Sequence, residues 1–113
     1  MIKLAFFVPE QYLESVKQAV FEAGAGKIGD YDQCCWQTLG QGQFRPLAGS
    51  TPFIGDAPKS NNTAGPLARV DEYRVEMVCQ EDCIKQVVEG LKQAHPYEEP
   101  AYEVWNLLDF NSL

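Results

Sequence analysis

The stretch Ile2-Lys3-Leu4-Ala5-Phe6-Phe7-Val8-Pro9-Glu10 contains both a strand and the start of a helix. Ile2, Leu4, Phe6 and Val8 fall on one face of an extended chain, and Ala5 and Phe7 on the other. Both faces are apolar, which reads as a strand over 2–8 covered on its two sides. Pro9 suits the first turn of a helix, where a missing N–H costs little, and Glu10 and Glu14 suit its positive end. Leu13, Val16, Val20 and Ala23 then recur at the spacing of a buried helical stripe, until Gly24 supplies the left-handed residue that stops it. The helix is placed at 9–23.

A second unit repeats this plan. Tyr73, Val75, Met77 and Cys79 alternate with Arg74, Glu76 and Val78, giving a strand at 71–79. Ile84, Val87, Val88 and Leu91 form the stripe of a second helix, Glu81 and Asp82 lie at its start, and Pro96 ends it. Gly90 costs that helix about 1 kcal/mol relative to Ala. Tyr102 and Val104 to Leu108 supply a closing strand. Strand, helix, strand, strand, helix, strand is the order of an α+β, ferredoxin-like βαββαβ domain, with both helices on one side of a four-stranded antiparallel layer. The missing strand must lie between 24 and 70. Gln33 to Thr38 is the candidate, with Gly40-Gln41-Gly42 read as a hairpin turn into Gln43 to Leu47. Residues 55–66 are loop-like throughout and expected to be mobile. Residues 1–113 are thus read as one domain whose 33–70 region is elaborated by an extra hairpin and a long loop.

The chain has 113 residues, 45% hydrophobic and 22% charged, the proportions of an ordinary globular domain. No apolar run approaches the roughly 20 residues that a membrane span needs. The N-terminus lacks a signal-peptide pattern, so a cytoplasmic location is expected. A formal net charge of −7 disfavours nucleic acid, because affinity there comes from neutralising phosphates. The four cysteines form no zinc-knuckle spacing; Cys34-Cys35 and Cys79-x3-Cys83 read best as reduced, partly buried thiols.

Gly24-Ala25-Gly26-Lys27-Ile28-Gly29 matches a dinucleotide-binding fingerprint literally, but these glycines follow a helix instead of opening one. They are read as a helix cap and a tight turn. Asn61-Asn62-Thr63 fits a glycosylation acceptor and is read as loop composition. The most distinctive segment is His95-Pro96-Tyr97-Glu98-Glu99-Pro100, with the chain's one histidine and two carboxylates held between prolines. Imidazole and carboxylate oxygens suit Zn²⁺ or Cu²⁺, which makes His95, Glu98 and Glu99 candidate metal ligands, with Cys34 or Cys35 completing the set from elsewhere. The competing reading is a rigid helix-to-strand connection whose glutamates face water. Trp36, Arg45 and Tyr97 are candidate ligand-binding residues, Trp36 and Arg45 facing one another across the expected hairpin. No nucleophile and base pair is evident, so no catalytic residue is assigned.

Lys3 to Glu10, Gly24 to Asp32, Cys35-Trp36-Gln37-Thr38, Gly42 to Pro46, Glu72 to Glu76 and His95 to Tyr102 together resemble the YqfO-type domain found in Nif-three-like dimetal proteins. The Tyr97-Glu98 and Pro100 stretch also resembles the corresponding part of CutA proteins. The resemblance implies a PII/CutA-like fold and a homo-oligomer, a trimer by that analogy. It implies no chemistry, because the metal ligands of Nif-three-like proteins lie in a flanking domain. The expected function is a non-enzymatic oligomeric module that binds a divalent metal or a small effector near His95 to Pro100. The alternatives are a purely structural self-association module, pairing through Pro100 to Phe110, and a small metal-dependent hydrolase.

Overall fold

The computed structural model describes residues 1–59 and 64–113. In chain order the elements are β1 (Ile2–Pro9), α1 (Glu10–Glu22), β2 (Trp36–Phe44), β3 (Ala68–Cys79), α2 (Ile84–Ala94) and β4 (Tyr102–Asn106), followed by a single 3₁₀ turn at Phe110–Ser112. The strands form one antiparallel sheet in the order β2-β3-β1-β4. This is the expected α+β, βαββαβ arrangement.

Alternation assigns every side chain of the sheet to a face. Leu4, Phe6 and Val8 of β1 stand opposite Met77, Val75 and Tyr73 of β3 on one face. Leu13, Val16 and Val20 of α1 and Val87 and Leu91 of α2 close over that face, and all of them belong to one buried cluster. Both helices therefore cover the same side of the sheet. Gly90 lies where α2 meets α1, with Ala19 O and Ala23 Cβ nearest to it. Opposite is an open face carrying Ala5 and Phe7 of β1, Glu72, Arg74 and Glu76 of β3, and Trp36, Thr38, Gly40, Gly42 and Phe44 of β2.

Punctuation falls where the chain chemistry asks for it. Pro9 ends β1 in an extended conformation (φ −67°, ψ 151°) and caps α1, one residue before the helix. At the other end Gly24 takes φ 118°, and Ala25 N–H reaches back to Val20 O at 3.0 Å, the long-range bond of a left-handed helix cap. Ile28 and Tyr31 then exchange two 2.9 Å bonds across a tight turn. The glycine-rich stretch is thus a cap and a turn, as its sequence predicts.

The middle of the chain departs from expectation. Gly40-Gln41-Gly42 makes no turn: β2 runs straight through it, pairing Gly40 with Glu72 and Gly42 with Val70. Two-residue hairpin turns need positive φ, and neither glycine has it. Gly42 instead lies under the Glu72 carboxylate, the group that a Cβ there would have to displace. The reversal comes later, across 45–67. Gly65 N–H donates to Pro46 O at 2.7 Å, closing the base of that connection. Its described residues have no helix or strand, and the Asn61-Asn62-Thr63 pattern lies outside the described residues. β3 begins at Ala68, earlier than alternation suggested, and β4 stops at Asn106, before Leu108.

Because β1 ends opposite Glu72, the pairs from Gln41–Asp71 to Phe44–Ala68 continue beyond it as a two-stranded arm. The elbow between this arm and the sheet is where the candidate site forms.

Candidate functional site

Three pieces of chain meet in the elbow. Phe7 and Glu72 supply the sheet floor, and Gly42, Phe44 and Val70 supply the arm. Pro52, Phe53 and Ile54 of the long connection roof it, and Tyr97 to Glu99 with Ala101 close its side. The result is a cleft of about 300 Å³. Gly55, at φ 89°, lets the connection fold back against Phe44 and Ala68. Phe53 is held edge-on by Tyr12 of α1, at 5.5 Å between ring centroids.

His95 fixes one wall. It caps α2, its N–H donating to Leu91 O at 2.9 Å, and it is only 5% exposed. Its Nε2 lies 2.7 Å from Phe7 O, and Tyr97 N–H donates to its Nδ1 at 3.2 Å. An amide only donates, so Nδ1 carries no proton and Nε2–H must donate to Phe7. Burial holds the ring below the usual histidine pKa, and the Phe7 carbonyl offsets part of that shift. A neutral histidine thus staples the α2–β4 connection to β1, with its ring at 4.7 Å from that of Tyr97.

Two polar groups of the cleft are under tension. Burial raises the Glu72 carboxyl above its ordinary pKa, while the nearby Tyr97 hydroxyl partly counters this. Burial pushes the Tyr97 phenol up to about 12, and the neighbouring Glu72 charge adds to it. A Tyr97–Glu72 hydrogen bond contributes to both shifts, although the buried Tyr97 hydroxyl makes no bond of strict geometry among the described residues. Glu98 accepts from Thr51 N–H at 2.7 Å, tying the long connection to the site.

The structure thus brings Tyr97, Glu98 and Glu99 together and leaves the other sequence candidates elsewhere. His95 adjoins the cleft, but both ring nitrogens are engaged, so the expected metal set is not assembled. No group of three or more histidine, cysteine, aspartate or glutamate side chains among the described residues is placed to hold a metal ion. Cys34 and Cys35 lie at the far end of the sheet, where Cys34 N–H bonds Gly26 O and Gly26 N–H bonds Val78 O, each at 2.8 Å. All four cysteines are unpaired. Trp36, 62% exposed, shares that far end. Arg45 is exposed just past the opposite end of β2. The strand runs straight between them, so they are about 30 Å apart at roughly 3.3 Å per residue, and they frame no cleft.

Phe7, Gly42, Phe44, Phe53 and Glu72 were not singled out by spacing. Phe7 and Glu72 do belong to the outward-facing sets of their strands, but only the β1–β3 register joins them. The cleft combines apolar rings with a few acidic groups.

A four-stranded βαββαβ sheet with both helices on one side defines the class, the ferredoxin-like fold of PII and CutA proteins. A point mutant of CutA1 from Pyrococcus horikoshii OT3 superposes with a TM-score of 0.65 at 16% identity, covering 98% of this chain and 87% of that one. No protein-family model matches the chain. The "GTP cyclohydrolase 1 type 2 homolog" of Mycobacterium leprae is 42% identical over 106 residues, 94% of this chain and 26% of that protein. The crystal structure of a Bacillus cereus protein related to NIF3 superposes at TM-score 0.77 with 35% identity, over 96% of this chain and 26% of that one. The chain accordingly matches a YqfO-type segment of NIF3-related proteins and has a PII/CutA-like fold. It spans about a quarter of the length of the relatives it matches.

Proposed function

We propose that this domain is a non-enzymatic, self-associating module that holds a small organic effector in the cleft beside His95 to Pro100. The observation that carries the reading is the cleft itself, about 300 Å³, walled by aromatic rings and bordered by Tyr97, Glu98 and Glu99. An organic ligand suits it better than a bare ion, because His95 has no free nitrogen and the remaining oxygens stand against apolar walls. Support for self-association comes from exposed apolar side chains. Trp36 and Leu39 lie on edge strand β2, Val104 and Trp105 on edge strand β4, and Leu108, Phe110 and Leu113 beyond it. The activity named for the larger relatives is no part of this reading.

Sedimentation velocity and a small-molecule screen read by thermal shift test the two halves. A discrete oligomer, together with stabilising compounds whose effect disappears in Phe44→Ala, is the expected result. A strict monomer contradicts the first half. An oligomer stabilised by nothing in the screen leaves only a structural self-association role.

A further inference from the structure

The charge around the cleft narrows what it can hold. Its acidic groups are Glu72, Glu98 and Glu99, and no lysine, arginine or histidine is among its lining residues. Arg74, on the same face, lies over the Phe7 ring at 5.4 Å and is engaged by Glu76 at 3.3 Å and Glu103 at 3.9 Å. Building on the effector reading above, we propose that the cleft selects an organic cation, a protonated amine or amidinium carried on one aromatic or similarly sized apolar body.

The residues divide the work. Phe7, Phe44, Phe53 and Val70 offer an apolar box, and the aromatic faces of Phe44 and Phe53, which carry no cation among the described residues, attract one in their own right. A volume of about 300 Å³ sits at the low end for ligand sites, room for one ring and a short arm. Glu72 pairs with no cation among the described residues. It is partly withdrawn from water, where an opposite charge is worth more than at the surface. The Tyr97 hydroxyl is buried beside Glu72, which leaves the carboxylate as the group that meets the cationic head. An anion of the same shape meets three carboxylates, while Arg74 beside the floor is already held by Glu76 and Glu103.

Isothermal titration of the full chain with 2-phenylethylammonium, 2-phenylethanol, 3-phenylpropionate and a nucleoside triphosphate tests this with matched bodies and different charges. The ammonium should bind at least about tenfold tighter than the alcohol, and the two anions should give no heat. Glu72→Gln, close to isosteric, should weaken the ammonium about tenfold, the scale of one charge-assisted hydrogen bond, and leave the alcohol unchanged. Equal or tighter binding of the alcohol or the propionate overturns the charge preference while the effector reading survives. An unchanged ammonium affinity in Glu72→Gln also overturns it. Silence from every probe overturns the cation proposal and leaves the effector reading to the thermal-shift screen. The probe series on the unaltered chain decides the matter even if the variant folds poorly.

Discussion

The two faces of the sheet solve different problems. The helix-covered face is dry and continuous, with Leu4, Phe6, Val8, Val16, Val20, Val75, Val87 and Leu91 all fully buried. The open face mixes Phe7 and Phe44 with Glu72, Arg74 and Glu76, and it buries apolar surface mainly where the 45–67 connection folds over one end. Neighbouring residues of a single strand, Phe6 and Phe7, therefore face a sealed core and the cleft respectively. A fold can keep one side of its sheet as scaffold and free the other for ligands and partners.

The sharpest way to break this comparison is to truncate both phenylalanines. Phe6→Ala should cost about 3–5 kcal/mol in a urea titration, the usual loss for a large aromatic in a sealed core. Phe7→Ala should cost clearly less, and equal losses would erase the distinction between the faces. Next in size is His95→Ala. It strands the Phe7 carbonyl and the Tyr97 N–H, for a loss of about 2 kcal/mol. The same staple gives a pH signature. Because burial lowers the folded pKa of His95, the unfolded chain binds the proton more readily. Stability is then full above the ordinary histidine value near 6.5 and falls as pH drops below it. Melting curves at pH 7.5 and 5.5 should show that fall in the parent and a smaller one in His95→Ala.

Gly90→Ala sharpens the picture of the helical layer. The nearest atoms to its added Cβ are Ala19 O at 3.5 Å and Ala23 Cβ at 3.7 Å, ordinary contact distances. The helix should gain about 0.5–1 kcal/mol, whereas a loss would mean that the two helices pack more closely than described. The smallest effect is expected at Glu72. Its raised folded pKa means that the folded chain holds this proton more tightly, so stability falls as pH rises from the ordinary 4.5 through the folded value. Glu72→Gln should remove that fall and be neutral to slightly more stable at pH 7. A marked destabilisation would show the carboxylate to be a structural partner.

What the sequence disclosed follows the same division. β1, α1 and α2 are legible because burial imposes a period on them, and Pro9 and Gly24 mark the joint and the stop. β2 is nearly invisible, since all but Gly42 and Phe44 of its residues are exposed and no face is forced to be apolar. Its two glycines then suggested a turn, when Gly42 in fact lies under a carboxylate from the next strand. Within the site, the sequence isolated His95 to Pro100 but not its partners. Phe7, Phe44 and Glu72 are joined only by register and by the arm beyond Pro9. The imidazole of His95 reads as a metal ligand in the sequence, and only the fold shows its two ring nitrogens hydrogen-bonded to Phe7 and Tyr97.

The two ends of the open face can be compared in one experiment, an amide and indole NMR titration of the full chain with 2-phenylethylammonium. The account predicts saturable shifts at Phe7, Gly42, Phe44, Glu72 and Tyr97, with Gly26, Cys34 and the Trp36 indole unmoved. Shifts centred on Cys34 to Trp36, or none at the arm, would contradict it.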